Sequence, residues 1–144
     1  MDTDKKKRVL VVDDYVVIVQ STVRALQKAG YEAQGVYNGT DALKKLQEQD
    51  FEFLVTDYFM PGKNGLDLVD FICAKGADTG VLVITSHHNN QEMIRRVSAY
   101  PKSQILVKPF PSDKVVRSLQ ELEVRMASMS GGPVMPDSSL PASS

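Results

Sequence analysis

The sequence predicts an α/β fold: a five-stranded parallel sheet with helices on both faces. Short runs rich in Val, Ile and Leu recur five times, and each is followed by a segment whose apolar residues return at helical spacing. The runs are nearly continuous rather than alternating, as in strands buried on both faces, and successive β-α units join such strands in parallel.

Taken in order, "RVLVVD" (8–13) reads as the first strand, and residues 16–29 as a helix closed by Gly30. "EAQGVY" (32–37) is the second strand and "GTDALKKLQEQ" (39–49) an amphipathic helix. "FEFLVTD" (51–57) and "GLDLVDFICAK" (65–75) repeat the pair, and "GVLVITS" (80–86) precedes a helix over 89–98. "QILVK" (104–108) and a helix over 112–128 complete the series. Residues 1–6 form a basic lead-in before a domain spanning 7–128. Residues 129–144, rich in Gly, Pro and Ser, read as a disordered tail or as a linker to a further domain.

Composition narrows the function. At 144 residues, 42% hydrophobic and 24% charged, the chain reads as one globular domain with a tail. A net charge of -1 gives no electrostatic basis for nucleic-acid binding. The run Lys5-Lys6-Lys7-Arg8 reads as a solvated lead-in, an anchor for an acidic surface being the other reading. The single Cys73 is read as a reduced core thiol, in keeping with a cytoplasmic protein. No apolar run approaches membrane-spanning length and no export signal follows Met1, so no membrane association is expected.

The chemistry-bearing residues stand at the ends of the runs. In a parallel sheet the carboxyl ends of all strands lie on one edge, where ligands bind. The first strand ends on Asp13 and Asp14, the third on Asp57, the fourth on Thr85 and Ser86, and the fifth on Lys108 and Pro109. Crowded carboxylates repel unless a hard cation joins them, and Mg²⁺ suits one or two carboxylates while leaving places for phosphate oxygens. A carboxylate among them can attack phosphorus to give an aspartyl phosphate, with metal, ammonium and hydroxyl stabilising the transferring group. Asp57 is best placed for that attack. It is followed by the turn "YFMPGKNG", whose Pro61, Gly62 and Gly65 suit a tight loop. Taken alone, Asp13-Asp14 would read as a helix N-cap.

The segments "VVDD", "VTDYFMPGKNG", "VITS" and "VKPF", in this order and spacing, resemble the receiver domain of response regulators, the phosphoacceptor module of two-component signalling. The resemblance implies a flavodoxin-like, doubly wound sheet in the order 2-1-3-4-5 with five helices. It implies that Asp57 accepts a phosphoryl group from a phosphohistidine on a sensor histidine kinase or histidine phosphotransfer protein. Asp14 would bind Mg²⁺ directly, Asp13 through metal-bound water, and the Phe59 backbone carbonyl would complete the protein's ligands beside Asp57. Lys108 would pair with the acid and then with a phosphoryl oxygen, the hydroxyl of Thr85, or Ser86 beside it, would report phosphorylation, and the bond before Pro109 would be cis. Such a module catalyses only its own phosphorylation and dephosphorylation.

Two departures bear on output. Ile105 stands where the family usually has a switch aromatic, and "SAYPKSQ" replaces a small Gly-Ala pair, so the signal is expected to leave by backbone and helix shifts. The alternative is a degenerate receiver that binds proteins without phosphorylation. Phe59 and His87 would border the hydrolytic water, and an apolar Phe59 predicts slow dephosphorylation; His87-His88 as a metal pair is disfavoured. On the first helix Ile18, Thr22, Ala25, Leu26 and Ala29 form the expected inward face. Val16, Val19 and Val23 form a second apolar stripe, read either as a wide core face or as a donor-docking patch. The downstream partner is an unknown protein or an effector domain, with a monomer or a phosphorylation-dependent dimer expected. A haloacid-dehalogenase-type phosphatase would need an acid where Phe59 stands, and a flavodoxin would need a phosphate loop in place of "DDYVVIV".

Overall fold

The computed structural model describes residues 6–60, 62–86 and 90–130. Five β-α units follow one another: β1 (Arg8–Val12), α1 (Val16–Lys28), β2 (Glu32–Val36), α2 (Gly39–Glu48), β3 (Phe53–Asp57), α3 (Gly65–Lys75), β4 (Gly80–Thr85), α4 (Gln91–Ser98), β5 (Ser103–Val107) and α5 (Ser112–Ser130). All strand pairs are parallel, in the order β2-β1-β3-β4-β5. The expected order is therefore observed. Most of the lead-in and tail, with Pro61, His87 and His88, lies outside the described residues.

The β-branched runs are continuous because alternate residues enter different cores. Leu10, Val12, Leu54, Val81 and Val83 pack with Leu46, Leu68, Ile72, Met93 and Val97 of α2, α3 and α4. Val9, Val11, Phe53, Val55, Leu82 and Ile84 pack with Val19 and Leu26 of α1 and Leu119 and Leu122 of α5. Each such side chain contributes about 1.5–3 kcal/mol of burial free energy. A polar residue at any of these positions would forfeit that and bury an unsatisfied group as well.

Local signals start and stop the helices. Asn38 and Asn90 accept the Asp41 and Met93 amides at 2.7 and 3.0 Å. Asn64 and Asp67 form a reciprocal capping box at the start of α3, with bonds of 2.8 and 3.1 Å. Gly76 ends α3 in a left-handed conformation, φ 70°. The N-cap of α1 is Tyr15, which makes no side-chain cap, so neither Asp13 nor Asp14 fills that role.

Two expectations about helix faces are corrected. Cys73 is exposed, not a core thiol, because it follows Ile72 by one residue and turns away from the face formed by Leu68, Val69 and Ile72. On α1 the buried residues are Val19, Thr22 and Leu26, while Ala29 is exposed. Val19 is only 1% exposed, so it cannot serve an accessible patch. Val23 is half-buried against the same core, and Val16, 47% exposed, is free of it along with Val17.

Val19 also explains Gly35. A Cβ at Gly35 would stand 2.3 Å from Val19 Cγ1, so α1 lies directly on the β2 backbone. Gly35→Ala is expected to cost about 1–3 kcal/mol through overpacking. In urea denaturation the same change in a Val19→Ala background should cost clearly less. Strict additivity would mean that α1 moves freely over β2.

Candidate functional site: an acidic crevice at the carboxyl edge of the sheet

The strand ends bring Asp13, Asp14, Asp57 and Lys108 together. One carboxylate oxygen from each aspartate lies within 4.8 Å of the others. Asp13 and Asp57 are 2% and 7% exposed, whereas Asp14 is open to solvent. Lys108 Nζ stands 3.5 Å from Asp13 Oδ2 and 3.6 Å from Asp57 Oδ2. These are ion-pair distances longer than a charge-assisted hydrogen bond, and Asp13 Oδ2 has no hydrogen-bond partner. The other oxygen, Asp13 Oδ1, accepts the Tyr15 amide at 3.0 Å.

Backbone hydrogen bonds beyond the strands hold these positions. The Tyr58 amide donates to the Ile84 carbonyl and the Lys108 amide to the Thr85 carbonyl, both at 2.8 Å. The Gly65 amide donates to the Tyr58 carbonyl at 3.0 Å, and a Cβ on Gly65 would meet the Asp57 carbonyl at 3.0 Å. Gly65 thus lets α3 begin against the backbone of Asp57. The Lys108–Pro109 bond is cis.

Burial raises the pKa of Asp13, against the pull of the Tyr15 amide and Lys108. Burial, with the Asp13 charge second, pushes Asp57 up to about 6, despite Lys108. One ammonium does not balance three carboxylates, and an unpartnered buried oxygen remains. The arrangement fits a hard divalent cation, for which Asp13, Asp14 and Asp57 are the available ligands.

The other expected site residues are placed as follows. Thr85 is buried at the end of β4, paired in register with Val107, and Ser86 after it is exposed. Phe59 is exposed in the loop after Asp57 and stacks edge-on with Tyr58, 4.6 Å between centroids. Ile105 is half-buried against the α2–α4 core. The nearby aromatic of that region is Tyr100, whose hydroxyl donates to the Thr79 carbonyl. His87 lies outside the described residues. Tyr15, which sequence reasoning does not single out, places its ring 5.7 Å from Lys108 Nζ. Its position directly after Asp13-Asp14 is the available signal.

An acidic crevice with one lysine, at the carboxyl edge of a doubly wound sheet in the order 2-1-3-4-5, defines a receiver-type protein. The chain belongs to the response regulator receiver domain family, whose profile matches residues 9–120. It is similar to the chemotaxis protein CheY of Thermotoga maritima, 31% identical over 117 residues that cover 81% of this chain and 97% of the relative. The solved chemotaxis response regulator CheY4 of Vibrio cholerae is 30% identical with a TM-score of 0.74, covering 82% of this chain and 99% of that one. The response regulator TrrA of Thermotoga maritima, solved in complex with Mg²⁺-BeF, is 30% identical with a TM-score of 0.69, covering 81% and 98%. No helix among the described residues is long and apolar enough to cross a membrane.

The raised Asp57 pKa has a stability consequence. The folded carboxyl holds its proton up to about pH 6, against 3.8 as the ordinary value. The native state therefore binds more protons between those values, and the stability this gives is present below pH 3.8 and lost as pH rises through about 6. In divalent-free buffer, Asp57→Asn should become more stable relative to wild type between pH 4.5 and 8, by about 2 kcal/mol. Denaturant melts of both proteins at the two pH values test this; a constant difference would place the folded Asp57 pKa at its ordinary value.

Proposed function

We propose that this receiver domain is a phosphorylation-controlled switch in which Asp57 is the phosphoacceptor. The observation that carries the reading is the Asp57 carboxylate, buried, 3.6 Å from Lys108 Nζ and within one cluster of three acids. An Asp57 oxygen attacks phosphorus, the bond from phosphorus to the donor imidazole nitrogen breaks, and its electron pair stays on that nitrogen. The product is an acyl phosphate on Asp57. Lys108 then exchanges the carboxylate for a phosphoryl oxygen, and Thr85, with Ser86 as the second hydroxyl, meets another.

Mg²⁺, when bound, neutralises charge developing on the transferring group. Asp13, Asp14 and Asp57 would hold it, with the Phe59 carbonyl as a further ligand; the Mg²⁺-BeF complex of TrrA supports the choice of ion. The donors are a sensor histidine kinase or a histidine phosphotransfer protein, in the cytoplasm. The domain acts only on itself and works by changing its protein contacts. With Ile105 in place of a switch aromatic, the change leaves through shifts of α4 and β5. Phe59, exposed in the loop after Asp57, borders the path of the hydrolytic water and slows loss of the phosphoryl group.

Intact mass after incubation with acetyl phosphate and Mg²⁺ tests the proposal. Wild type should gain one phosphoryl group that persists for minutes, and Asp57→Asn none. No gain by a folded protein would favour the phosphorylation-independent binding module, and loss within seconds would contradict the role of Phe59.

Donor docking is assigned to the exposed start of α1, Val16 and Val17 beside the crevice, in place of the buried Val19. Val16→Lys with Val17→Lys should slow transfer from a phosphohistidine donor about ten-fold or more and leave the acetyl phosphate rate within two-fold. Equal losses in both assays would refute docking at this surface.

A further inference from the structure

Resting on the phosphoacceptor reading, we infer that Tyr15 is a positioning residue for Lys108, its ring holding the ammonium between Asp13 and Asp57. Lys108 Nζ is 5.7 Å from the Tyr15 ring centroid, within the range at which a ring face attracts a cation. Its distances to the two acids, 3.5 and 3.6 Å, lock it to neither. Three weak attractions thus locate the charge, and the ring is the neutral one among them.

The backbone that carries the ring is anchored on both sides. The Tyr15 amide donates to Asp13 Oδ1 at 3.0 Å, and the Tyr15 carbonyl accepts the Ile18 and Val19 amides at 3.1 Å each. The residue is held on both sides of its Cα, at the point where α1 begins. Although Tyr15 is 62% exposed, its ring cannot leave Lys108 by backbone movement without opening the first turn of α1.

The choice of an aromatic residue has a chemical reason. An acid here would compete with Asp57 for the ammonium, and a base would repel it. A ring face attracts the cation through its quadrupole, offers no lone pair that would capture a proton, and shields the ammonium from water. Lys108 is left free to turn from carboxylate to phosphoryl oxygen when the acid is modified.

The test compares the wild-type 144-residue chain with Tyr15→Phe, Tyr15→Leu and Tyr15→Ala. The first readout needs no phosphorylation: the Lys108 Cε methylene resonance, assigned by its loss in Lys108→Arg. It should be shifted upfield by the ring in wild type and Tyr15→Phe, and unshifted in Tyr15→Leu and Tyr15→Ala. The second is the rate of phosphorylation by acetyl phosphate with Mg²⁺. Tyr15→Phe should fall within two-fold of wild type, and Tyr15→Leu and Tyr15→Ala about 3- to 10-fold below it, at unchanged thermal midpoints. An unshifted Lys108 resonance in wild type would overturn the inference, as would wild-type rates in Tyr15→Leu or Tyr15→Ala. Were wild type not phosphorylated at all, the phosphoacceptor reading would fail instead, and the Lys108 resonance would still decide whether the ring holds the ammonium.

Discussion

Two carboxylates buried side by side, Asp13 and Asp57, share a single ammonium, and this charge imbalance governs the carboxyl edge of the sheet. Buried charges are tolerated only when paired or coordinated, and here pairing is incomplete. Strand order supplies what compensation there is. β1 and β3 are neighbours, so Asp13 and Asp57 are brought together by register alone. β5 lies two strands from β3, a separation of roughly 10 Å. A lysine stem crosses that gap; a shorter cation would not. The residue type at position 108 is thus dictated by its distance along the sheet as much as by its charge.

The same edge shows why the heart of the site is legible in the sequence. Asp13, Asp57 and Lys108 each sit within one residue of the last strand position, so apolar runs that announce the strands also announce where their ends lie. Buried parallel strands give the least ambiguous runs, which is why the expected β3 and β4 agree with the observed strands to within two residues at each end. Helix faces are harder. The periodicity of α1 gives the width of its apolar arc, but its centre is set by what α1 touches. Because α1 lies on Gly35 of β2 and beside α5, Val19 is drawn into the core. Cys73 misleads for the related reason that an apolar segment has an outward side too. Tyr15 escapes notice because nothing in its identity records a lysine from the far end of the chain standing over its ring.

The two cores divide the sheet's consequences. Ile84 belongs to the α1–α5 core, and Val83 and Ile105 to the α2–α4 core. Thr85 follows directly, with its carbonyl bonded to the Lys108 amide. A displacement at the end of β4 is therefore felt on both faces, through close-packed side chains that do not compress. Tyr100, tethered to the Thr79 carbonyl, restrains the opposite end of that strand pair.

Asp13 carries one last consequence. Its Oδ1 is engaged by the amide that opens α1, and its Oδ2 is left facing the crevice. A carboxylate in water spins and offers either oxygen; this one has surrendered that freedom to the start of a helix during folding. Any cation arriving at the crevice meets an already oriented lone pair, and the entropy of aiming it was lost when the chain folded, not when the ion binds.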